Sequence, residues 1–401
     1  TYDLANSAFI TIIITAVFPI YYASVAAKGL PRDVAESRFL NATTLSLIVI
    51  AILAPILGAI ADFSPVKKRM MRFFISLAVL ATAGMFFVKE GGWFLALALF
   101  VVANFGANGS FVFYDALLPH LASDDEMDRV STAGYALGYI GGGILLALNL
   151  AWIQKPEWFG LPHGPNLTPD QESLPVRLAF LSVAVWWALF SVPLFRKVPE
   201  PAIRQARPEG GVIKGAFVQL AGSFHELKKY RNAFLMLLAF LIYNDGIGTI
   251  IRVATLYGTG IGLKQGDMIA AILLTQFVGV PFAFLFGALA GKIGAKQSIF
   301  LALVVYTLIS VIGYYMKNAT HFLILAILVG TVQGGAQALS RSLFASLIPR
   351  HKSGEFFGFF AVIEKFAGIF GPLLFSIMLQ PTGSSRNAIL SVIAFFVVGG
   401  I

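Results

Sequence analysis

The sequence contains no cysteine, only five histidines, and charged residues at just 12% of its 401 positions. Lack of cysteine excludes disulfides, thiolate zinc sites and a thiol nucleophile, while leaving the redox compartment open. The scarcity of charge is more telling. Soluble domains carry about 25% charged residues, and a chain so far below that cannot cover an apolar interior with a wettable surface. Nucleotide and hydrolase signatures are missing as well. There is no P-loop and no G-x-S-x-G elbow, and His225-Glu226 lacks the second histidine of a zincin helix. These absences argue against ATP-driven work and intramembrane hydrolysis. No catalytic residue, metal or cofactor is expected.

What the chain does contain is apolar. Hydrophobic residues make up 58% of it, with 37 Phe among them, which buries too much area for a disordered chain. Apolar runs of spanning length fall at 2–27, 39–61, 70–88, 93–118, 130–153, 174–195, 232–257, 267–290, 297–316, 320–347, 355–379 and 387–401. They are continuously apolar rather than alternating, which predicts helices and not barrel strands. The expectation is an all-α membrane protein of twelve transmembrane helices. The last run, Ala388 to Ile401, falls short of the ~20 residues a span needs and reads as a truncated helix. The opening at Thr1, with no signal-peptide pattern, makes the start look trimmed too. The longest polar stretch divides the chain into an N-terminal six-helix bundle (1–195), a linker (196–231) and a C-terminal six-helix bundle (232–401).

The net charge of +9 is unevenly placed. Seventeen Lys and Arg, among them Lys67, Lys68, Arg69 and those of the linker, lie in loops on one side, and nine lie on the other. The positive-inside rule makes the richer side cytoplasmic, together with both termini and the linker. The basic loops then face anionic lipid. No basic patch is interleaved with aromatics, so nucleic acid is not an expected partner.

The two halves repeat. Gly58-Ala-Ile-Ala-Asp62 closes the second helix and Gly287-Ala-Leu-Ala-Gly291 the eighth, 229 residues apart. Pro119 and Pro349 end the fourth and tenth helices at an offset of 230, and Gly138 and Gly141 match Gly368 and Gly371 at the same offset. Such a duplication marks a secondary transporter with its site between pseudo-symmetric halves.

This 6+6 arrangement, with a G-x-x-x-D loop and trailing basic residues, resembles the major facilitator superfamily. Three strings are similar to its vacuole-effluxer-like branch: Tyr2-Asp3-Leu-Ala-Asn6-Ser7-Ala-Phe9, Phe113-Tyr114-Asp115-Ala-Leu-Leu-Pro119-His120, and Leu241-Ile-Tyr243-Asn244-Asp245-Gly246. The stretch from Arg341 to Gly358 fits as well. The chain departs from the superfamily loop at Phe63, where a basic residue is usual, and the second copy has Gly291 in place of the acid. The resemblance implies the major facilitator fold, a cytoplasmic latch in which Asp62 meets the start of helix 11, and export of amino acids or similar zwitterions. It assigns the glycine stretch of helix 5 to a contact between the halves.

Charges inside the bilayer are the informative positions, because each is costly unless it faces a cavity or a partner. Asp245 lies about 20 Å into helix 7 at 1.5 Å per residue. It reads as a substrate or proton site, or as half of a structural pair, with Asn244 beside it and Arg252 two turns on. Arg341 shares a stripe of helix 10 with Gln333 and Gln337. Its guanidinium suits a carboxylate held bidentately, either that of the cargo, facing Asp245, or that of Asp115. Asp115 sits near a gate as readily as near a ligand. Glu364 reads as a protonatable site or as a residue packed in a glycine seam with Gly368 and Gly371. Asp3 and Asn6, one turn apart at the start of helix 1, read as gate or ligand contacts or as simple capping. Substrate or coupling candidates are therefore Asp245, Arg341, Glu364, Asn244, Gln337, Gln333 and Asn6, and gating candidates are Asp62, Lys67, Lys68, Arg69, Asp3 and Asp115.

The leading functional expectation is secondary transport of a small solute by alternating access in a bacterial plasma membrane, by a monomer, with protons as the candidate coupling ion. A membrane receptor or lipid-handling scaffold on the same fold is the competing class.

Overall fold

A computed structural model describes residues 2–123, 125–201, 230–260, 265–366 and 389–401, with four isolated positions between them. Every regular element among these residues is helical. The first half supplies α1 (Tyr2–Ala26), α2 (Arg32–Asp62), α3 (Lys67–Gly84), α4 (Trp93–Leu121), α5 (Met127–Gln154) and α6 (Pro169–Lys197). The second supplies α7 (Arg231–Gly260), α8 (Gln265–Ile293), α9 (Ala295–Tyr314), α10 (Ala319–Leu347), α11 (Ser353–Phe366) and α12 (Ile393–Gly400). Ten of the helices are long and apolar enough to cross a membrane. Large apolar side chains such as Ile52, Leu80, Phe94 and Val304 point outward, as lipid-facing positions must when the solvent is hydrocarbon.

Local chemistry sets the helix ends. At the start of α6 the Thr168 hydroxyl accepts the Gln171 N–H while the Gln171 side chain accepts from the Thr168 N–H, a reciprocal capping box. The Asn318 side chain caps α10 by accepting the His321 N–H at 2.9 Å. Helix α2 begins at Arg32, seven residues before the expected 39. Its first two turns carry Arg32, Asp33, Glu36 and Arg38, so the hydrogen-bonded helix runs on past the apolar stretch that the sequence reading tracks.

Helix α1 is unusual. Its backbone is π-helical over Phe9–Ala16 and again over Tyr22–Ala26. Both stretches close with i to i−5 bonds, from Val17 N–H to Ile12 O and from Ala27 N–H to Tyr22 O, each at 2.8 Å. Such turns are rare and concentrate at functional sites.

The chain packs as two units. One comprises Thr1–Leu53, Pro65–Tyr114 and Leu137–Pro201; the other comprises Ala54–Ser64, Asp115–Ala136 and Ala202–Ile401. In the first, α6 packs on α1 and α3, and Phe18 stacks on Phe100 with ring centroids 5.0 Å apart. In the second, α8 and α9 pack on α10, and α12 on α7. An aromatic cluster fills it, with Phe240 stacked on Phe360 at 4.5 Å and Phe344 beside Phe360 at 5.2 Å. This second unit thus includes the basic-loop ends of α2, α4 and α5.

Candidate functional site

Among the described residues, a polar cluster lies at the basic-loop end of the second unit. Helix α2 ends at Asp62, which is buried. Its Oδ1 accepts the Gly354 N–H at 3.0 Å and its Oδ2 the Glu355 N–H at 2.9 Å. These are among the donors that a helix start leaves without an intrahelical acceptor, and the macrodipole favours a carboxylate there. Glycines make the approach possible. A Cβ on Gly58 would fall on the Gly354 carbonyl, and one on Gly358 would lie 2.6 Å from Pro55 Cα. The Ser353 hydroxyl donates to the Ala116 carbonyl of α4 at 3.0 Å and lies 3.1 Å from His120 Nε2.

Beside this latch, α10 presents Arg341, whose side chain is 7% exposed. Its Nη1 donates to Asp115 Oδ1 at 3.1 Å, its Nε to Ser131 Oγ at 3.0 Å and its Nη2 to the Ser131 carbonyl at 3.3 Å. The guanidinium carbon lies 4.9 Å from the Tyr135 ring centre, within cation–π range. The next residue, Ser342, donates to Asp128. One end of α10 is thereby held to α4 and α5 by charge-assisted bonds. Of the two carboxylates expected for Arg341, the structure sets Asp115 against it. Depth along a helix can be read from a sequence, but the neighbouring helix cannot.

The other expected residues are more scattered. Asp245 is fully buried in α7, and its carbonyl accepts the Thr249 hydroxyl. Asn244, Gln333, Gln337 and Glu364 are half-buried. Asp3 and Asn6 are buried in the first turns of α1, where Tyr114 donates its hydroxyl to Asp3 and Ser7 donates to Asn6 Oδ1 at 3.4 Å. Of the basic run, Lys67 is buried and Arg69 exposed. The Lys68 ammonium donates to the Phe195 and Val198 carbonyls at the end of α6, and its backbone N–H donates to the Glu200 carboxylate at 3.0 Å. The side chains of Arg252 and Lys365, along with Gly368 and Gly371, lie outside the described residues.

Gly138 and Gly141 lie at a close helix contact. A Cβ on Gly138 would meet Ser7 Oγ at 2.5 Å, one on Gly141 would fall on the Leu4 carbonyl, and one on neighbouring Gly142 would meet Thr11 Oγ1 at 2.6 Å. These glycines let α5 close on α1 of the same half, the close helix approach that their small size implies. A small residue licenses close approach without naming the partner.

Several contributors escaped the sequence reading: Ser131, Ser353, Gly354 and a repeated pair. Tyr2 shares a hydrogen bond with Ser110 at 2.7 Å, and Tyr243 shares one with Ser340. The second pair lies 241 and 230 residues after the first, so aligning the halves on Tyr and Ser would have revealed it.

The vacuole effluxer Atg22-like family matches residues 22–401. The chain belongs to this family. It is 37% identical over 399 residues to the MFS-type transporter YxiO of Bacillus subtilis (strain 168), covering 99% of this chain and 91% of that one. It is 26% identical over 292 residues to Autophagy-related protein 22 of Yarrowia lipolytica, spanning 65% of this chain and about half (47%) of the fungal one. Among solved structures it is similar to the proton:xylose symporter XylE, with a TM-score of 0.72 at 12% identity over 100% of this chain and 92% of that one. It is also similar to FucP in the outward conformation, with a TM-score of 0.69 at 14% identity over 100% and 95%. The fold is therefore the major facilitator fold, as expected, and the chain is a multi-pass transporter of that superfamily rather than an enzyme.

Proposed function

We propose that the chain is a secondary active transporter that moves a small solute by alternating access, with the basic-loop end cytoplasmic and closed. The observation that carries this reading is the double fastening of that end. Asp62 caps α11, and the Asp115–Arg341 pair holds α10 to α4. Each fastening is made of a few charge-assisted bonds at helix ends and so can break without unfolding a helix. On this reading Arg341 gates, together with Asp62, Asp115, Asp3 and the Lys67–Arg69 run. Asp245, buried in α7, is the coupling or substrate carboxylate, with Asn244, Gln333, Gln337, Glu364 and Asn6 as further contacts. The family's description as effluxers supports export. Amino acids or similar zwitterions, whose ammonium group a buried carboxylate suits, are the cargo, and protons are the coupling ion. The protein works as a monomer in lipid, in a bacterial plasma membrane if it shares the setting of its Bacillus relative.

Counterflow in proteoliposomes tests this. Vesicles loaded with unlabelled amino acids should accumulate the labelled ones, and Asp245→Asn should keep this exchange while losing gradient-driven uptake. Full concentrative uptake by Asp245→Asn would remove Asp245 from coupling. No exchange of any amino acid by the wild-type chain would sink the substrate assignment.

A further inference from the structure

We propose that Arg38, Tyr22 and Trp93 form an oxyanion-recognition site in the first unit, at the end opposite the basic loops, that takes the carboxylate of a small solute. Three helices converge there: Tyr22 lies near the end of α1, Arg38 near the start of α2, and Trp93 opens α4. The Arg38 guanidinium carbon lies 3.9 Å from the Trp93 ring centre, within cation–π range. Its Nη1 is buried and has no hydrogen-bond partner among the described residues. The Tyr22 ring is 2% exposed, and its hydroxyl is likewise buried without a partner. Phe39, the chain neighbour of Arg38, packs on Tyr22 with centroids 5.4 Å apart. Two donors thus stand on helices α1 and α2 where these pack on each other.

Buried donors are almost always satisfied, and a charged one left dry is especially costly. Among the described residues neither donor has an acceptor, and the positive charge makes an anionic one the natural complement. A planar carboxylate can accept from Nη1 with one oxygen and from the phenol with the other. Tyr22 also opens the second π-helical stretch of α1, the kind of backbone found where a helix serves a ligand.

The identity of the solute as cargo rests on the transport reading above; the site itself does not. The test uses the full chain in detergent, with intrinsic fluorescence and thermal melting followed against sodium acetate, L-alanine, inorganic phosphate and methylammonium chloride at matched ionic strength. Acetate and alanine should give a saturable response that Trp93→Phe largely removes, and methylammonium none. Tyr22→Phe should weaken both about tenfold, the loss of one hydrogen bond to a charged group. Its ligand-free melting point should be unchanged or raised, because the hydroxyl it removes has no partner. Arg38→Lys should weaken binding further, since an ammonium has no planar fork. No saturable response to acetate or alanine, or wild-type affinity in Tyr22→Phe, would overturn the proposal. A response confined to phosphate, or to phosphatidylglycerol in nanodiscs, would overturn it in favour of a lipid headgroup site. If counterflow fails while acetate binding depends on Tyr22, the transport reading falls and the site stands; the converse result removes the site alone.

Discussion

The same hydrogen bond is made twice, once in each unit: Tyr2 with Ser110 between α1 and α4, and Tyr243 with Ser340 between α7 and α10. The latch is made once. Asp62 closes α2 with its carboxylate on the start of α11, whereas the matching position at the end of α8 is Gly291, where an added Cβ would meet nothing within 4 Å. Close approach itself survives in both copies, since a Cβ on Gly287 would fall on Thr132 Oγ1 just as one on Gly58 would fall on Gly354. Packing has kept the duplication, and charge has not. A bond needed to hold each bundle is required in both copies. On the transport reading proposed above, a fastening that opens needs only one carboxylate, and a second would add a desolvated charge.

The largest effect expected from breaking this asymmetry comes at Arg341. Arg341→Ala strands the partly buried Asp115 and should cost about 3 kcal/mol, the range for removing one member of a buried pair. Thermal denaturation of the purified chain should show a fall of several degrees, and the double variant Asp115→Asn, Arg341→Gln should recover most of it. An alanine variant that melts with the wild type would show that the pair does not hold that end.

A smaller effect separates the two glycine positions. In Gly354→Ala the new Cβ would lie 2.7 Å from Asp62 Oδ1 and crowd the Gly58 carbonyl, an overpacking worth about 1–3 kcal/mol. Gly291→Ala has open space and should be neutral or stabilising by about 0.5 kcal/mol, the helix-propensity gain. Equal melting points for the two variants would undo the contrast. Smaller again, Tyr2→Phe and Tyr243→Phe should each lose about 1 kcal/mol, and by matching amounts. Loss in only one of them would show that the repeated bond no longer does the same work in both units.

The smallest effect lies outside the span. Lys28 and Glu90 pair at 2.8 Å on an exposed surface, and the hydrogen bond to Glu90 raises the lysine pKa. Its contribution is therefore present below the ordinary amine pKa and is lost as pH rises through the raised value. Lys28→Gln should leave the melting point at pH 7 unchanged within error, as exposed pairs usually do, and should differ in slope only in strong alkali.

The spans were legible because a bilayer forces about twenty apolar residues to stand together, and that constraint is written along the chain. Azimuth is not. Asp115, Asp245 and Arg341 stood out as charges in apolar runs, yet only the packed helices show that Arg341 turns toward Asp115 and Ser131. Ser131 and Ser353 were invisible because serine is common in membrane helices and donates locally more often than across. Asp62 at the start of α11 came from the family resemblance and not from spacing, since nothing in a sequence joins residue 62 to residue 354.

The π-helical turns of α1 carry a consequence of their own. Each holds one residue more than an α-turn closes, so a turn that relaxes to the α form must pass that residue along the helix. Everything beyond it then rotates by about 100° and shifts by about 1.5 Å. With two such stretches in series, α1 is threaded like a screw. Such a passage would turn the aromatic side chains beyond it, Tyr22 among them, relative to Tyr2 and its bond to Ser110.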